Sequence, residues 1–338
     1  MPTLPLGKVP PKILEKHVFP FLGVGDTSIL HGPGIGRDAA LVRVGQQVVV
    51  ASTDPITGAV QNIGAYVVHI CANDVATFGI RPRWFLATIL LPEDSRAQQL
   101  EEIMASMHTA AKGLNVSIIG GHTEVTPELK RPIIIGFMLG VAEQDHYVTS
   151  TQALPGNVII LTKGAAIEGT AILATERATI LQQKLSSSLV NRAQQFIHRI
   201  SVVPEALAAM STGAVRAMHD PTEGGVSNGL HELANASGLG FIVDRSKIII
   251  QEETRQICQV FDVNPLELIA SGAMLMAVEG KQAPHILDVL QKEKITAAVI
   301  GRLVADASQR MIIDFDGSIK QLMQPTEDAL WKALQKSA

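Results

Sequence analysis

Apolar and polar positions along this chain switch repeatedly between two periods. Apolar runs of strand length cover Ala39–Val44, Gln47–Ser52, Arg83–Leu91, Val116–Ile119 and Ile133–Val141. Stretches with helical spacing lie between them. In Gly64–Phe78 the residues Val67, Cys71, Val75 and Phe78 fall near one stripe. Leu100, Ile103, Met104, Met107, Ala111 and Leu114 repeat that spacing, with Asp94 or Ser95 as the expected N-cap and Gly113 as the stop. Gly120–Thr123 reads as a turn after a strand. Beyond the turn Leu154-Pro155-Gly156-Asn157 the alternation restarts, with strands at Val158–Thr162, Ala214–Met218, Phe241–Asp244, Ala273–Val278, Ala297–Leu303 and Arg310–Asp314. Helices are expected from Gly169, in a polar stretch to Ile200, and over Pro204–Ser211, Gly225–Ser237 and Pro284–Gln291. The alternation predicts a mixed α/β protein whose boundary falls at the Pro/Gly turn.

Composition narrows the class. The 338 residues are 46 % hydrophobic and 18 % charged, enough apolar material for a sizeable core. The net charge of −4 offers no basic excess to neutralise a nucleic-acid backbone. The run Ile133–Ala142 is far short of the roughly 20 residues that a membrane helix needs. Neither nucleic acid nor membrane is an expected partner. The two cysteines, Cys71 and Cys258, cannot build a disulfide framework, which suits a cytoplasmic protein. The Pro-rich segment Met1–Pro20 reads as an arm with a short helix at Pro11–His17.

The chemistry is in the placement of the acids. Asp38 follows Gly34-Ile35-Gly36 and precedes a strand, and Asp54 closes the strand Val48–Thr53. Asp74 sits beside Asn73 on an apolar helix, where a buried acid needs a partner. Glu124 follows Gly120-Gly121-His122-Thr123, and Asp220 leads into Pro221-Thr222-Glu223-Gly224-Gly225. Apolar elements repeatedly deliver an acid next to Gly, Ser or Thr. Acids that converge need cations, and Mg²⁺ commonly bridges one or two carboxylates to nucleotide phosphates. Neighbouring glycines let backbone N–H groups approach phosphate, and the helix opening at Gly224-Gly225 offers free amides. The same aspartates also suit turn caps. Neither a Walker loop nor a Rossmann fingerprint is present, so an ATP site here is of another type.

Five segments together resemble the aminoimidazole ribonucleotide synthetase (PurM-like) superfamily. They are Gly34-Ile35-Gly36-Arg37-Asp38-Ala39-Ala40-Leu41, Ser52-Thr53-Asp54, Asn73-Asp74-Val75-Ala76, Gly120-Gly121-His122-Thr123 and Asp220-Pro221-Thr222-Glu223-Gly224-Gly225-Val226, in the family's order. The hydrogenase-maturation HypE-like members are the nearest in look, and thiamine-monophosphate kinase and selenophosphate synthetase are others. The resemblance implies an arm (1–30), an N-terminal ATP-binding and dimerisation domain (31–152), a C-terminal α/β domain (153–325) and a tail helix (326–338). It implies a homodimer built through a shared β-barrel, with ATP and Mg²⁺ in a cleft, and admits a maturation partner protein.

Carried over by position, the resemblance assigns Asp38, Asp54, Asp74, Asp220 and Glu124 to metal. It assigns Gly36, Asp38, Thr53, Asn73, Gly121, His122, Thr123, Thr222, Gly224 and Gly225 to ATP, and Lys8, Asp54 and Asp74 to catalysis. The expected reaction is ATP-dependent phosphorylation of an oxygen of a small substrate. A nucleotide-binding protein without turnover and a thiamine-monophosphate-kinase-like enzyme are the alternatives. Three departures are visible. Arg37 stands where many members carry an acid, His122 stands in the Gly-Gly-x-Thr loop, and the tail Cys that carries the carbamoyl group in HypE is replaced by Trp331–Ala338.

Overall fold

The computed structural model describes residues 4, 7–57 and 59–336; Leu6 of the arm and Ser337 and Ala338 of the tail lie outside them. The chain is a mixed α/β, two-domain fold. The first half contains helix α1 (Pro11–His17), strands β1 (Ile29–His31), β2 (Ala40–Val44) and β3 (Gln47–Ile56), helix α2 (Ile63–Ala76), strand β4 (Pro82–Leu91), helix α3 (Ala97–Gly113), and strands β5 (Ser117–Val125) and β6 (Ile133–Glu143). Its sheet has the order β1-β2-β3-β6-β4-β5, antiparallel throughout except for the parallel pair β4–β5. Among the described residues this sheet is open, with β1 and β5 at its edges.

The second half contains β7 (Val158–Thr162), α4 (Ile167–Glu176), α5 (Ala178–Lys184), α6 (Ser187–Gln194), α7 (Val203–Met210), β8 (Val215–His219), α8 (Gly225–Ala236), β9 (Gly240–Asp244) and α9 (Glu252–Phe261). It is completed by β10 (Leu275–Val278), α10 (Ala283–Lys292), β11 (Ala297–Val304), β12 (Arg310–Ile313), β13 (Ile319–Gln321) and α11 (Ala329–Gln335). Its sheet runs β13-β12-β9-β11-β7-β10-β8. None of the helices in the described residues is long and apolar enough to cross a membrane.

Helix α2 explains how the halves meet. It is apolar on nearly every side and buried from Ile63 to Ala76 apart from Ala65 and His69, because it packs on the first sheet and also against α3 and α7. Its one fully buried amide, Asn73, ties the halves together. Nδ2 donates to the Ile200 carbonyl at 2.9 Å, and Oδ1 accepts the Val202 N–H at 2.8 Å.

Several local expectations are corrected. Helix α3 starts at Ala97 with Arg96 at its N-cap and no side-chain cap, because Ser95 is used in a turn, its N–H donating to the Pro92 carbonyl. Strand β3 runs on past Asp54 to Ile56, paired throughout with β6. The polar stretch to Ile200 breaks into α5, α6 and a short 3-10 segment. Gly120–Thr123 is strand, not turn. Glycine is a weak strand former, but a Cβ on Gly121 would stand 2.1 Å from the Ala87 carbonyl oxygen, so close backbone approach to β4 requires it there.

Candidate functional site

A cavity of about 620 Å³ opens between the halves. Strand β3 supplies Thr53 and Asp54, helix α2 supplies Asp74, the loop before β2 supplies Gly36 and Asp38, and the turn after β8 supplies Thr222 and Gly224. The arm reaches the same place with Lys8. Residues more than 200 positions apart are thus carried to one cleft by buried apolar elements.

The acids fall into two groups. Asp54 and Asp74 stand close enough to influence each other's ionisation, and the Ser52 hydroxyl donates to Asp74 Oδ2. Burial pushes both carboxyls above the usual carboxylate range. Asp74 is pushed further by the charges of Asp54, Asp220 and Asp38. Asp220, 1 % exposed, follows β8, and neither of its oxygens has a hydrogen-bond partner. Burial raises its pKa far above the ordinary value, and the charges of Asp38 and Asp54 add to that.

The second group carries its own cation. His219 is buried between two acids, with Nδ1 3.0 Å from Asp38 Oδ2 and Nε2 3.0 Å from Glu232 Oε2. Desolvation opposes the charged ring, but Asp38 and Glu232 outweigh it and hold the pKa well above the ordinary value. The ring is therefore an imidazolium donating from both nitrogens. Glu232 is likewise held at about 2: burial works upward, while the Lys8 charge and the His219 hydrogen bond work downward more strongly.

Lys8 joins the groups. Its Nζ donates to Thr222 Oγ1 at 2.8 Å and lies 4.0 Å from Glu232, while its backbone N–H donates to Glu223 Oε2 at 2.8 Å. The side chain is half exposed. Desolvation lowers its pKa, but the charges of Glu232, Asp54, Glu223 and Asp38 together carry it above the ordinary lysine value.

The site differs from the sequence reading at several positions. Asn73 does not line the cavity, because both ends of its amide are committed to Ile200 and Val202. Three of the amides expected to be free at the start of α8 are occupied. Gly224 N–H donates to Asp328 Oδ2 at 2.6 Å, Gly225 N–H to the Thr222 carbonyl at 3.0 Å and Ser227 N–H to the Leu266 carbonyl at 2.8 Å. Gly225 is glycine because a Cβ would stand 2.6 Å from the carbonyl oxygens of Leu266 and Leu268. Gly36 likewise passes α8 too closely for a side chain, a Cβ standing 2.4 Å from the Glu232 carbonyl oxygen.

Gly121, His122, Thr123 and Glu124 lie on exposed β5 and do not line this cavity. There His122 Nε2 lies 3.0 Å from Glu124 Oε2, and Thr126 Oγ1 donates to Glu124. Arg37 donates to the Gly32 carbonyl at 3.0 Å. Cys71 and Cys258 are buried, outside the cavity lining, and burial pushes both thiols up, Cys258 to about 12. Sequence reasoning missed Glu232, Glu168 and Asp328. Glu168 carried the same signal as Asp74, a lone acid inside the apolar run Ala165–Ile172.

Among the described residues no three His, Cys, Asp or Glu side chains already stand at ion-binding spacing. The donors are nevertheless all hard carboxylate oxygens, and the orphaned oxygens of Asp220 beside Asp54 and Asp74 fit a hard divalent cation.

Comparison with known proteins places this geometry. The family described as AIR synthase related protein matches twice, its N-terminal domain over residues 36–142 and its C-terminal domain over residues 155–314. The carbamoyl dehydratase HypE of Azotobacter vinelandii is 30 % identical over 263 residues, covering 76 % of this chain and 74 % of that protein. Among solved structures, a HypE–HypF complex superposes with a TM-score of 0.75 at 22 % identity, covering 92 % of this chain and 99 % of the other. HypE in complex with ATP superposes with a TM-score of 0.72 at 22 % identity, covering 94 % and 95 %. The chain belongs to the AIR synthase related, PurM-like family and is homologous to the HypE hydrogenase maturation proteins.

Proposed function

We propose that this protein is an ATP- and Mg²⁺-dependent enzyme that transfers a phosphoryl group to an oxygen of a small substrate. The observation that carries the reading is the group Asp54, Asp74 and Asp220. Asp74 and Asp220 are buried and Asp54 is partly buried; all three pKa values are raised, Asp220 has an orphaned pair of oxygens, and no cation of the chain is bonded to them. An external divalent ion relieves that arrangement better than protons do at neutral pH. The ATP-bound HypE structure supports the nucleotide.

Asp54, Asp74 and Asp220 would hold Mg²⁺. When bound, the ion supplies charge neutralisation along the phosphates. The chain's own contribution is positioning and charge. Lys8, held by Thr222 and Glu223, directs an ammonium into the cleft where charge develops on the transferred group. The imidazolium of His219 fixes Asp38 and Glu232, so that neither drifts toward the phosphates. Asp328 sits on the Gly224 N–H, at the position an anion would take at the start of α8. Nucleotide binding therefore competes with this tail carboxylate. The relative is named a carbamoyl dehydratase. Neither cysteine of this chain lines the cleft.

The working form is a homodimer. Strand β5 is a sheet edge, exposed along nearly its whole length, and Ile119 and Val125 are more than half exposed. An uncovered edge of that kind invites pairing with another strand, here that of a second copy. This would close the sheets into the expected barrel and bring Gly121, His122, Thr123 and Glu124 to an interface. The HypE–HypF complex supports a maturation partner protein as a further binding partner.

The test is Mg²⁺-dependent ATP consumption with a panel of uncharged small acceptors, in the parent protein and in Asp54→Asn and Asp74→Asn. The reading expects an acceptor-dependent rate that both variants lose. Nucleotide binding with no turnover on any acceptor would favour a binding protein instead.

A further inference from the structure

A second cavity, of about 360 Å³, opens on the seam between the halves and shares no lining residue with the cleft. Helix α2 ends in a turn at Thr77–Gly79, where the Gly79 N–H donates to the Ala76 carbonyl at 2.8 Å. Gly79 has a left-handed backbone (φ 73°), and a Cβ on it would stand 2.6 Å from Met210 Cγ, so the turn abuts the end of α7. A Cβ on Gly140 would stand 2.9 Å from the Arg81 carbonyl oxygen, so the chain leaving the turn lies close against β6. The cavity is the gap left beside these two contacts, between the ends of α7 and β6.

Most of its lining is apolar. Ile80, 2 % exposed, and Val141 come from the first half, and Leu207 and Met210 from the second. The polar side chains are those of Arg81, His146 and Ser211, all three exposed and so at the mouth. His146 is carried there by a turn in which its N–H donates to the Glu143 carbonyl at 3.2 Å. Glu143 and Asp145 of that turn are exposed and outside the lining, which contains no acid. Among the described residues the Arg81 guanidinium has neither an ion pair nor a hydrogen bond to the protein.

Ligand pockets run from about 300 to 1,000 Å³, are mostly apolar with a few polar groups, and favour the joint between domains. The seam cavity has all three properties. Its one permanent charge is a guanidinium, whose planar fork matches a carboxylate. An occupant of complementary chemistry therefore has an apolar body and an anionic head. A single guanidinium balances a single negative charge, which favours a carboxylate over a phosphate dianion.

We propose that the seam cavity is a binding site for a small apolar carboxylate, held by Arg81 at its head and by Leu207 and Met210 along its body. Such a molecule touches both halves at once. The site stands apart from the nucleotide reading. Saturation-transfer NMR titration of the full chain at pH 8 tests it with three probes. These are hexanoate, acetate, which lacks the chain, and hexylamine, which reverses the charge.

The parent protein is expected to bind hexanoate at least about tenfold better than acetate, since four further methylenes leave water. It is expected to prefer hexanoate over hexylamine by at least about tenfold, since the ammonium meets Arg81. Arg81→Gln is expected to bring hexanoate and hexylamine to within about threefold of each other. Ala142→Phe and Leu207→Trp fill the cavity from opposite halves, and each is expected to abolish saturable hexanoate binding. Circular dichroism confirms that each variant is folded. A non-hydrolysable ATP analogue with Mg²⁺ is expected to leave bound hexanoate in place. No saturable binding of hexanoate by the parent, or no preference for it over either other probe, would overturn the site. So would unchanged discrimination in Arg81→Gln, binding retained in a folded filling variant, or displacement by the analogue.

Discussion

Two carboxylate groups share this cleft and are handled in opposite ways. Asp38 and Glu232 are bridged by an internal imidazolium, and Glu232 sits at about 2. Asp54, Asp74 and Asp220 have no such bridge, and their pKa values are raised. Both groups are at least partly buried, and what separates them is the presence of a bonded cation. The first group is finished by the chain itself, whereas the second is finished only by something from outside.

The sharpest way to break the comparison is to neutralise the unfinished group. Asp54→Asn or Asp220→Asn is expected to lower ATP turnover by about 10²–10³-fold, the range for loss of one electrostatic contributor. Without Mg²⁺, Asp220→Asn is expected to raise the melting temperature, since it removes an uncompensated buried acid. A turnover loss accompanied by a lower melting temperature would mean that Asp220 is structural.

Next in size, His219→Gln leaves Asp38 and Glu232 without their bridge. Removing one partner of a buried pair costs about 3–5 kcal/mol, read by urea unfolding at pH 7. The raised His219 pKa makes its contribution complete below the unfolded-state value of about 6.5. That contribution is lost as pH rises through the folded value, and the variant should lack that alkaline loss. Glu232 behaves conversely. Its contribution is present above its unfolded value and is lost as pH falls toward about 2, so Glu232→Gln should flatten the acid limb of the stability curve.

Asn73→Ala tests the strut between the halves rather than the chemistry. It orphans the Ile200 carbonyl and the Val202 N–H, at about 1–3 kcal/mol for each group left unsatisfied. The expected result is a lower unfolding midpoint with nucleotide affinity changed little. The smallest expected effect is on Lys8→Ala, whose half-exposed side chain adds little to stability; turnover should fall while the unfolding midpoint stays put.

The contrast also marks what could be read from the sequence. Asp54, Asp74 and Asp220 were visible because each is a lone acid on or beside an apolar element, and such an acid must be buried with a purpose. Glu232 was hidden because it lies two turns into amphipathic α8, where an acid usually faces water; its partners His219 and Lys8 are distant in sequence from any local signal. Asn73 stood in a motif assigned to nucleotide, and its real work depends on the backbone at Ile200, which no local pattern announces. The strand at Gly120-Gly121 escaped because glycine signals a turn, whereas here it marks close backbone contact with β4. The occupied Gly224 amide at the start of α8 depends on Asp328, about a hundred residues further on, which local capping rules do not reach.

The most direct measurement is calorimetric titration of a non-hydrolysable ATP analogue into the parent protein, with Mg²⁺ and with EDTA, repeated for Asp220→Asn. The account predicts saturable binding that needs Mg²⁺, proton release as the raised carboxyls ionise around the ion, and loss of both in the variant. Equal affinity in EDTA, or an unaltered isotherm in Asp220→Asn, would contradict it.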